Sequence, residues 1–307
     1  MNHAPLALFC YRRPEHLRTT LRSLARNPEA SQSALIAFCD GPKSSDPQLL
    51  EAIAAVQKVL REFESAFQSL EIVKRETNYG LAKNIIHGVT DVVNRYGRVI
   101  VIEDDLLCSP GFLKYLNDGL TLYADDAAVA SIHAYVVPLA RGEYPETFFL
   151  RGADCWGWAT WKRAWEEFRA DGAALLEELE SGGLKRRFDL DGTYEYTAML
   201  REQVAGRNDS WAIRWHASAF LANRLTLYPG RSLVQNIGLD GSGTHCGTDE
   251  TPNWNEVAAE IPVRRIPVQE NQVARAALVA HYRSAQAAGT GWVQRARRLA
   301  KRVIGAK

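Results

Sequence analysis

Short apolar runs alternate with amphipathic stretches along the first part of the chain. Four runs predict buried strands, namely Leu6–Cys10, Leu35–Cys39, Glu71–Arg75 and Arg98–Ile102. Between them, apolar residues recur at helical spacing, which predicts amphipathic helices. These helices carry Leu17, Leu21 and Leu24; then Ile53, Val56, Leu60, Phe63 and Phe67; then Leu81, Ile85, Val89 and Val92; and finally Leu113, Leu116 and Leu120. The alternation predicts an α/β fold with a mainly parallel sheet covered on both faces, and ligands then bind at the carboxyl ends of its strands.

The stretch after the first predicted strand excludes two common nucleotide-binding motifs. It reads CYRRPEHL and holds no glycine, so the dinucleotide motif G-x-G-x-x-G is absent. The phosphate-binding motif G-x-x-x-x-G-K-[ST] occurs nowhere in the chain. Without a glycine-rich cradle, a nucleotide diphosphate needs a metal ion to offset its charge.

Three consecutive acidic residues end the strongly apolar fourth strand. Glu103, Asp104 and Asp105 follow it at the edge of the sheet where ligands bind. Mg²⁺ and Mn²⁺ prefer one or two carboxylates together with substrate phosphate oxygens. Strand alternation places Glu103 and Asp105 on one side and Asp104 on the other, so that one acid holds a metal while others accept sugar hydroxyls. Helix capping is the alternative, but Ser109 and Pro110 already supply the N-cap and first position of the next helix. Adjacent like charges also cost free energy unless a positive group lies among them.

Four tryptophans lie close together in the second half of the chain. Trp158, Trp161 and Trp165 have helical spacing, so Trp161 and Trp165 are predicted to belong to the core. Trp156 and Gly157 precede that helix and are better placed to contact a ligand, because aromatic faces stack on the C–H surfaces of sugars.

A glycine-rich stretch, DGSGTH, begins at Asp240 and ends at His245. Glycine lets the backbone approach a phosphate group closely. His245 therefore either completes a metal shell, contacts a diphosphate or is a loop histidine with ordinary hydrogen bonds.

The overall composition is that of a globular protein and excludes several classes. The 307 residues carry 37 basic and 36 acidic side chains, a net charge of +1, which argues against a nucleic-acid partner. No apolar run reaches the length of about 18 residues that a membrane span needs, and the N-terminus lacks the features of a signal peptide. The five cysteines include no C-x-x-C pair, so a reducing cytosol fits best. Cys10, Cys39 and Cys246 are expected to be buried small hydrophobes.

The C-terminal residues 292–307 break the charge balance. They read WVQRARRLAKRVIGAK and hold six Lys/Arg and no acid, whereas the other 291 residues hold 31 basic and 36 acidic groups. Apolar and basic residues alternate at helical spacing, which predicts a basic amphipathic helix on an anionic membrane. The expected localisation is cytoplasmic and peripheral at the inner membrane face. A solvated tail is the alternative.

Several of these segments resemble glycosyltransferases of the GT-A fold. VIEDDLLCSPGFLKYL is similar to the metal-binding segment of that family, closest to the N-acetylglucosaminyltransferase I type. FCYRRPEHLRTTLRSL and FCDGP resemble the parts that contact the nucleotide, and ETNYGLAKN resembles a turn and helix of the wider family. FLRGADCWGWATWKRAW resembles the acceptor-side segment, and RNDSWAIRW loosely resembles the stretch that carries the catalytic base. The resemblance covers about residues 5 to 246, and the ending NIGLDGSGTHCG is similar to that of bacterial sugar transferases.

This resemblance implies a Rossmann-like GT-A sheet in a single large domain, and a metal-dependent, inverting transfer from a nucleotide-sugar, with UDP-sugars favoured. Asp105 is then expected to hold Mn²⁺ or Mg²⁺. Contacts to the nucleotide-sugar are expected from Tyr11, Arg12, Asp40, Asn78, Lys83, Glu103 and Asp104. Asp40 is expected to accept the base N–H, and Glu103 and Asp104 to bind the ribose and the donor sugar.

Asp209 is the expected general base, which takes the proton of the acceptor hydroxyl. It precedes Ser210 and the predicted helical run Trp211–Asn223, so it is either that base or a helix N-cap. Asp154, in ADCWGW, is the competing candidate, and its alternative is a turn acid beside packed aromatic residues. Arg13 has the pattern of an ordinary surface residue.

The predicted organisation divides the chain into four segments. Residues 1–125 bind the nucleotide-sugar, 126–250 bind the acceptor and carry catalysis, 251–291 form a C-terminal extension and 292–307 form the basic tail. The favoured function is sugar transfer to a glycan or glycolipid acceptor in bacterial surface polysaccharide synthesis. A non-catalytic scaffold of a membrane polysaccharide complex is the alternative. A sugar-nucleotide pyrophosphorylase is disfavoured, because CYRRPEHL lacks the glycine-rich basic loop of those enzymes.

Overall fold

The computed structural model describes residues 3–139, 144–238 and 257–287. Within these ranges, eight strands form one sheet and two short strands form a separate ribbon. The strands are β1 (Leu6–Cys10), β2 (Ala34–Cys39), β3 (Ser69–Lys74), β4 (Arg98–Glu103), β5 (Leu106–Cys108), β6 (Val129–His133), β7 (Thr147–Arg151), β8 (Trp158–Trp161), β9 (Leu225–Pro229) and β10 (Val234–Asn236). The helices are α1 (Pro14–Leu24), α2 (Pro47–Glu62), α3 (Leu81–Tyr96), α4 (Phe112–Leu122), α5 (Lys162–Trp165), α6 (Gly172–Ser181), α7 (Lys185–Phe188), α8 (Tyr196–Val204), α9 (Trp211–Leu221) and α10 (Gln272–Ala287).

The large sheet has the order β3-β2-β1-β4-β8-β6-β9-β7. Its first four strands are parallel, β8 is antiparallel to both of its neighbours, β6 and β9 are parallel, and β7 closes the sheet as an antiparallel strand. The predicted mainly parallel α/β sheet is therefore confirmed, and both halves of the chain contribute strands to it. In-register pairing sets Cys10 opposite Cys39 and Phe9 opposite Glu103. The carboxyl ends of β1, β2 and β4 therefore meet at one edge.

Burial of the predicted apolar faces explains the first three helices. Leu17, Leu21 and Leu24 are fully buried, as is the apolar face of α3. The predicted extension of the second helix is wrong at its end. Helix α2 stops at Glu62, and Phe63 is the C-cap whose N–H donates to the carbonyl of Leu60 in a tightened turn. Cys10 and Cys39 are buried small residues, as predicted.

The predicted N-terminus of α4 is also wrong. The helix begins at Phe112, and Ser109 and Pro110 belong to the connection that follows β5. Two backbone hydrogen bonds keep this connection outside the helix: Ser109 N–H donates to the carbonyl of Leu233, and Gly111 N–H donates to the carbonyl of Ala259, both at 2.8 Å. Strand β5 pairs with β10, and its three residues are too few for an apolar pattern to show.

The tryptophan segment is a strand where the sequence predicts a helix. Trp158–Trp161 forms β8, which pairs with β4 and β6, and the helical turn begins only at Lys162. The core prediction is confirmed, because Trp161 and Trp165 are almost fully buried. Pairing on both sides of β8 outweighs the local spacing.

Some sequence features lie outside the described residues, namely Asp240, His245, Cys246 and the basic tail 292–307. Among the residues that the structure describes, none of the helices combines the length and the apolar character that a bilayer span requires.

Candidate active site

Two acidic residues at the end of β4 face a common arginine. Asp104 and Asp105 form the turn into β5 and are buried. The Nη2 atom of Arg13, at the residue before α1, donates hydrogen bonds to Asp104 and, at 2.8 Å, to Oδ2 of Asp105. The predicted alternation of these two acids is therefore wrong, because the chain turns after Glu103 instead of continuing as a strand. Arg13 supplies the positive group that adjacent carboxylates require.

Burial shifts the protonation of the acidic residues. It raises the pKa of Asp104 to about 6, against the opposing charge of Arg13. Burial, together with the charges of Asp105 and Asp104, raises the pKa of Glu103 to about 8. Glu103 is therefore largely protonated at neutral pH and can donate a hydrogen bond, whereas its ionised neighbours accept.

The backbone of Gly238 lies directly against the Asp105 carboxylate. A Cβ atom at Gly238 would lie 2.2 Å from Oδ2 of Asp105 and 2.9 Å from Nη1 of Arg13. The adjacent Ile237 N–H donates to the Asp105 carbonyl at 2.8 Å. Only glycine leaves room for this close approach. The segment after β10 is therefore anchored on the acidic residues.

The donor set suits a metal that takes part of its shell from a substrate. Within residues 3–139, 144–238 and 257–287, no group of three or more His, Cys, Asp and Glu side chains is arranged to hold a metal ion. Asp104 and Asp105 nevertheless present carboxylates on one side of the turn, and one or two carboxylates plus phosphate oxygens is the usual Mg²⁺ or Mn²⁺ arrangement. The two carboxylates fit such an ion, and Asp105 as its ligand stays a prediction. The predicted ligand His245 lies outside the described residues.

Asp40, directly after β2, organises the loop that begins α3. Its Oδ1 atom accepts from the N–H groups of Gly41 and Tyr79, at 2.9 and 2.7 Å. Its Oδ2 atom accepts from Asn78 Nδ2 and the Gly80 N–H, at 2.9 and 3.0 Å. These donors use the full accepting capacity of a carboxylate. A base N–H would have to replace one of them, so the base contact of Asp40 stays a prediction.

Two cations flank the ring of Tyr79 beside this loop. Lys83 Nζ lies 4.2 Å and Arg75 Cζ lies 4.8 Å from the ring centroid. Arg75 is fixed by a 3.0 Å hydrogen bond from its Nε to Asn84 Oδ1, and Lys83 is exposed. Arg75 follows β3 and has no motif around it, so the sequence does not single it out.

Tyr11 and Arg12 follow β1, next to Arg13. Arg12 is exposed, with its Cζ 5.9 Å from the centroid of the Tyr11 ring. The Tyr11 hydroxyl is buried and has no hydrogen-bond partner among the described residues. Both side chains thus lie at the same sheet edge as the acidic residues, and their contacts to a nucleotide stay predictions.

The segment before β8 packs against the end of β6 and the start of α4. Trp156 N–H donates to Nε2 of His133 at 3.1 Å, and Gly157 accepts at 2.8 Å from the N–H of Ala134. Gly157 has φ +67°, and a Cβ atom there would lie 2.9 Å from the ring of Phe112. A positive φ and this close contact both require glycine.

Aromatic side chains surround Asp154. We define the aromatic cluster as His133, Tyr135, Trp156, Tyr194, Tyr196, Tyr228 and Tyr282. Ring centroids lie 4.7 Å apart for Tyr135 and Trp156, and 4.6 Å apart for Tyr194 and Tyr282. Burial raises the pKa of all three tyrosines at 194, 196 and 282, and the charge of Asp154 raises each further. Asp154 itself is partly exposed and accepts from the N–H of Cys155 at 2.9 Å.

Asp209 has different surroundings. Its side chain is 68% exposed and accepts from Arg214 Nη2 at 3.0 Å. The N-cap of α9 is Ser210, whose hydroxyl accepts from the N–H of Ile213 at 3.3 Å. The capping alternative for Asp209 is therefore wrong, and its catalytic role stays a prediction.

A family model for glycosyl transferase family 2 matches residues 7–174, which is more than half of the chain. The chain belongs to glycosyl transferase family 2. It is therefore a glycosyltransferase with the expected GT-A fold. The matched residues include the acidic turn, Arg13, the Asp40 loop and Asp154. The match does not identify the N-acetylglucosaminyltransferase I type, so that finer resemblance stays a prediction. No curated protein matches the glycosyltransferase.

Solved glycosyltransferases are similar to this one at low identity. The mannosyltransferase PcManGT from Pyrobaculum calidifontis, in complex with GDP-Man and Mn²⁺, is 14% identical over 71% of this chain and 69% of its own, with a TM-score of 0.37. Glucosyl-3-phosphoglycerate synthase from Mycobacterium tuberculosis, with Mn²⁺, UDP and glucosyl-3-phosphoglycerate, is 15% identical over 60% and 67%, with a TM-score of 0.33. S. aureus TarS is 15% identical over 49% of this chain, which spans only 24% of TarS, with a TM-score of 0.31. At these TM-scores we transfer no ligand, metal or acceptor to this chain.

Proposed function

We propose that this glycosyltransferase moves a sugar from a nucleotide-sugar, with UDP-sugars favoured, to a glycan or glycolipid acceptor, and that it requires Mn²⁺ or Mg²⁺. The observation that carries the proposal is the pair of buried carboxylates, Asp104 and Asp105, that Arg13 holds at the carboxyl end of β4. Membership of glycosyl transferase family 2 supports it. Strand β4 ends at the ligand-binding edge of the sheet, so the two carboxylates lie where a diphosphate and its metal would bind.

On the donor side, each group has a distinct task. Asp105 would hold the metal, which when bound supplies Lewis-acid stabilisation of the leaving diphosphate. Glu103, kept protonated by burial, would donate to a ribose or sugar oxygen while Asp104 accepts from a hydroxyl. The loop 78–80, held by Asp40, would place Asn78, Lys83 and the nucleotide beside one another.

On the acceptor side, Asp154 is the base that we favour over Asp209. It lies among aromatic side chains that suit the C–H faces of a sugar, with Trp156 and Gly157 next to it. Asp209 is exposed and already neutralised by Arg214. Asp154 would take the proton of the acceptor hydroxyl while the hydroxyl oxygen bonds to the anomeric carbon. The bond to the diphosphate oxygen then breaks on the opposite face, and the configuration inverts.

The cellular setting follows from the sequence alone. The basic residues 292–307 support contact with an anionic membrane, and such contact suits a glycolipid acceptor in bacterial surface polysaccharide synthesis. We also infer that the division at residues 125 and 126 separates donor binding from acceptor binding, because the acidic turn precedes it and the aromatic cluster follows it.

Thermal unfolding with a panel of nucleotides and UDP-sugars tests the donor and the metal together. A ligand at 100 times its Kd stabilises the folded state by about 2.7 kcal/mol, which should raise Tm by about 4 °C for a chain of this size. We expect that shift with a uridine nucleotide and Mn²⁺, and its loss with EDTA or in Asp105→Asn. The matched control is Asp118→Asn, which removes an exposed carboxylate paired with Lys114. If no nucleotide shifts the Tm, the chain is not a transferase of this kind and the scaffold alternative gains support.

A further inference from the structure

A second group of charged residues lies away from the acidic turn, between the segment 183–191 and the start of α10. It lines an open cleft of about 440 Å³. We define the arginine cleft by Arg186, Arg187, Asp191, Glu270 and Arg275, with Gly183 and Gln272 completing its wall. Positive charge exceeds negative charge among these residues, and the proposed sugar transfer gives none of them a task.

The ion pairs in the arginine cleft do not neutralise all of its positive charge. Arg275 donates to both carboxylate oxygens of Asp191, at 2.7 and 3.0 Å. Arg187 Nη2 lies 3.6 Å from Oε2 of Glu270, too far for a normal hydrogen bond. Arg186 adds a further charge close enough to act on Asp191. The two acids therefore do not balance the arginines around them.

Arg151, at the end of β7, adds to the excess of positive charge near the cleft. Its guanidinium atoms Nε and Nη1 are buried and have no hydrogen-bond partner among the described residues. Burial lowers the pKa of Arg151, the Arg187 charge lowers it further, and Glu270 opposes the shift. Glu270 accepts from the backbone N–H of Arg151, at 3.3 Å. Arg151 does not line the cleft, but its charge acts on Arg187 and Glu270 there and so adds to the positive excess.

We propose that the arginine cleft binds a phosphate group, and that the acceptor carries it. Guanidinium groups suit phosphate because their planar pairs of N–H donors match its oxygens. Two chain segments link the cleft to the acceptor side: Tyr194 of the aromatic cluster follows Asp191 by three residues, and Arg275 and Tyr282 lie two turns apart on one face of α10. Assignment of the phosphate to the acceptor rests on the proposed function, whereas phosphate binding itself does not.

Titration of the full-length protein with inorganic phosphate, followed by calorimetry in EDTA, tests the binding. EDTA removes metal-dependent binding at the acidic turn. We expect wild-type protein to bind, and Arg187→Gln and Gln272→Glu to bind at least about tenfold more weakly, since a hydrogen bond to a charged group is lost or a like charge is added. Both positions are exposed, so both variants should fold. The matched control is Arg207→Gln, an exposed arginine paired with Glu202 outside the cleft.

Two further arms identify the source of the phosphate and separate this inference from the proposed function. Weaker binding of soluble, short-chain phosphatidic acid by Arg187→Gln points to a lipid headgroup, because a monomeric lipid offers no anionic surface to residues 292–307. A loss limited to inorganic phosphate points to a soluble acceptor. A uridine nucleotide with Mn²⁺ should stabilise all variants equally. If phosphate binding depends on Arg187 while no nucleotide binds, the cleft stands and the proposed transfer fails. Equal phosphate affinity in Arg187→Gln and Arg207→Gln, or no binding by wild-type protein, would overturn the inference.

Discussion

The Nη2 atom of Arg13 lies 2.8 Å from Oδ2 of Asp105, although 92 residues separate them along the chain. The contact joins the start of α1 to the end of β4, since Arg13 directly precedes Pro14 and Asp105 follows Glu103 by two residues. It therefore ties the first βα unit to the strand that carries the acids. It also offsets the charge of two adjacent carboxylates in a buried turn.

Replacing Arg13 by Met is expected to lower the free energy of unfolding by about 3 kcal/mol at neutral pH, because the buried acids lose their cation. Urea unfolding measures the loss. Arg18→Met is the matched control, since Arg18 lies in the helix that Arg13 precedes and pairs with Glu62 nearer the surface, where such a pair contributes less than about 1 kcal/mol. Mn²⁺ should stabilise Arg13→Met more than it stabilises the wild type. Equal losses in the two variants would show that Arg13 has no special role.

The position of the acidic turn was predictable from the sequence, and Arg13 marks where prediction stopped. The apolar run of β4 followed by three acids indicates a ligand-binding edge without any structure. The need for a nearby cation also follows from the adjacent charges. Which cation serves depends on how α1 packs beside β4, and a single sequence carries no signal for that. The surface assignment of Arg13 is wrong for this reason, since its side chain is only 18% exposed.

Asp40→Asn is expected to weaken binding of every nucleotide and to destabilise the fold by about 2 kcal/mol. The amide keeps one acceptor atom and sets an NH₂ group against donors of the loop 78–80, which leaves buried donors unsatisfied. The control is Asp46→Asn, an exposed N-cap with a single bond to Gln48 N–H, which should cost less than about 1 kcal/mol. If Asp40→Asn instead weakens uridine binding alone at unchanged stability, Asp40 contacts the base directly, as the resemblance implies.

Gly157→Ala should destabilise the protein and reduce transfer through displacement of Trp156. Its positive φ costs about 1 kcal/mol for an alanine, and contact with the Phe112 ring should add about 1–2 kcal/mol. Gly206→Ala is matched, since Gly206 has φ +69° and, its chain neighbours aside, no atom of the described residues lies within 4 Å of the point that an alanine methyl group would occupy. The difference between the two in urea unfolding isolates the packing contact. Equal destabilisation by the two substitutions would mean that the segment before β8 moves to accommodate the methyl group without a cost in free energy.

The aromatic cluster shows why the acceptor half was harder to predict. Its members come from β6, the segment before β8, the start of α8, β9 and α10. Trp156 was singled out because it precedes the predicted helix and because an aromatic face suits a sugar. Tyr194 and Tyr282 lie in no motif, and only the packing of α10 beside residues 191–196 brings them together. Contacts between distant segments decide such a cluster, and local spacing does not report them.

Acid should destabilise the protein partly through His133. Burial lowers the pKa of His133 from its ordinary value of 6.5, and its Nε2 atom accepts from the Trp156 N–H. Below pH 6.5 the unfolded chain therefore binds a proton that the folded protein resists. The stability is complete above pH 6.5 and is lost as the pH falls, by at most about 1.4 kcal/mol per pH unit for this group. His133→Gln keeps an acceptor for the Trp156 N–H but has no titrating group at this position. Urea unfolding should therefore show that the variant loses less free energy of unfolding between pH 7.5 and pH 5.5 than the wild type does. An unchanged pH dependence would contradict the prediction.

Asp154→Asn and Asp209→Asn together identify the base. We expect Asp154→Asn to lower the transfer rate by about 10²–10⁴ while nucleotide-sugar binding is kept, because the acceptor hydroxyl loses its proton acceptor and the donor side is untouched. Asp209→Asn breaks an exposed pair with Arg214 and should change transfer little and stability by about 1 kcal/mol or less. Transfer assays under saturating donor, with donor binding followed by thermal shift in the same samples, separate the two effects. If transfer survives in Asp154→Asn and is lost in Asp209→Asn, the base is the exposed acid, and the aromatic cluster then binds the acceptor without activating it.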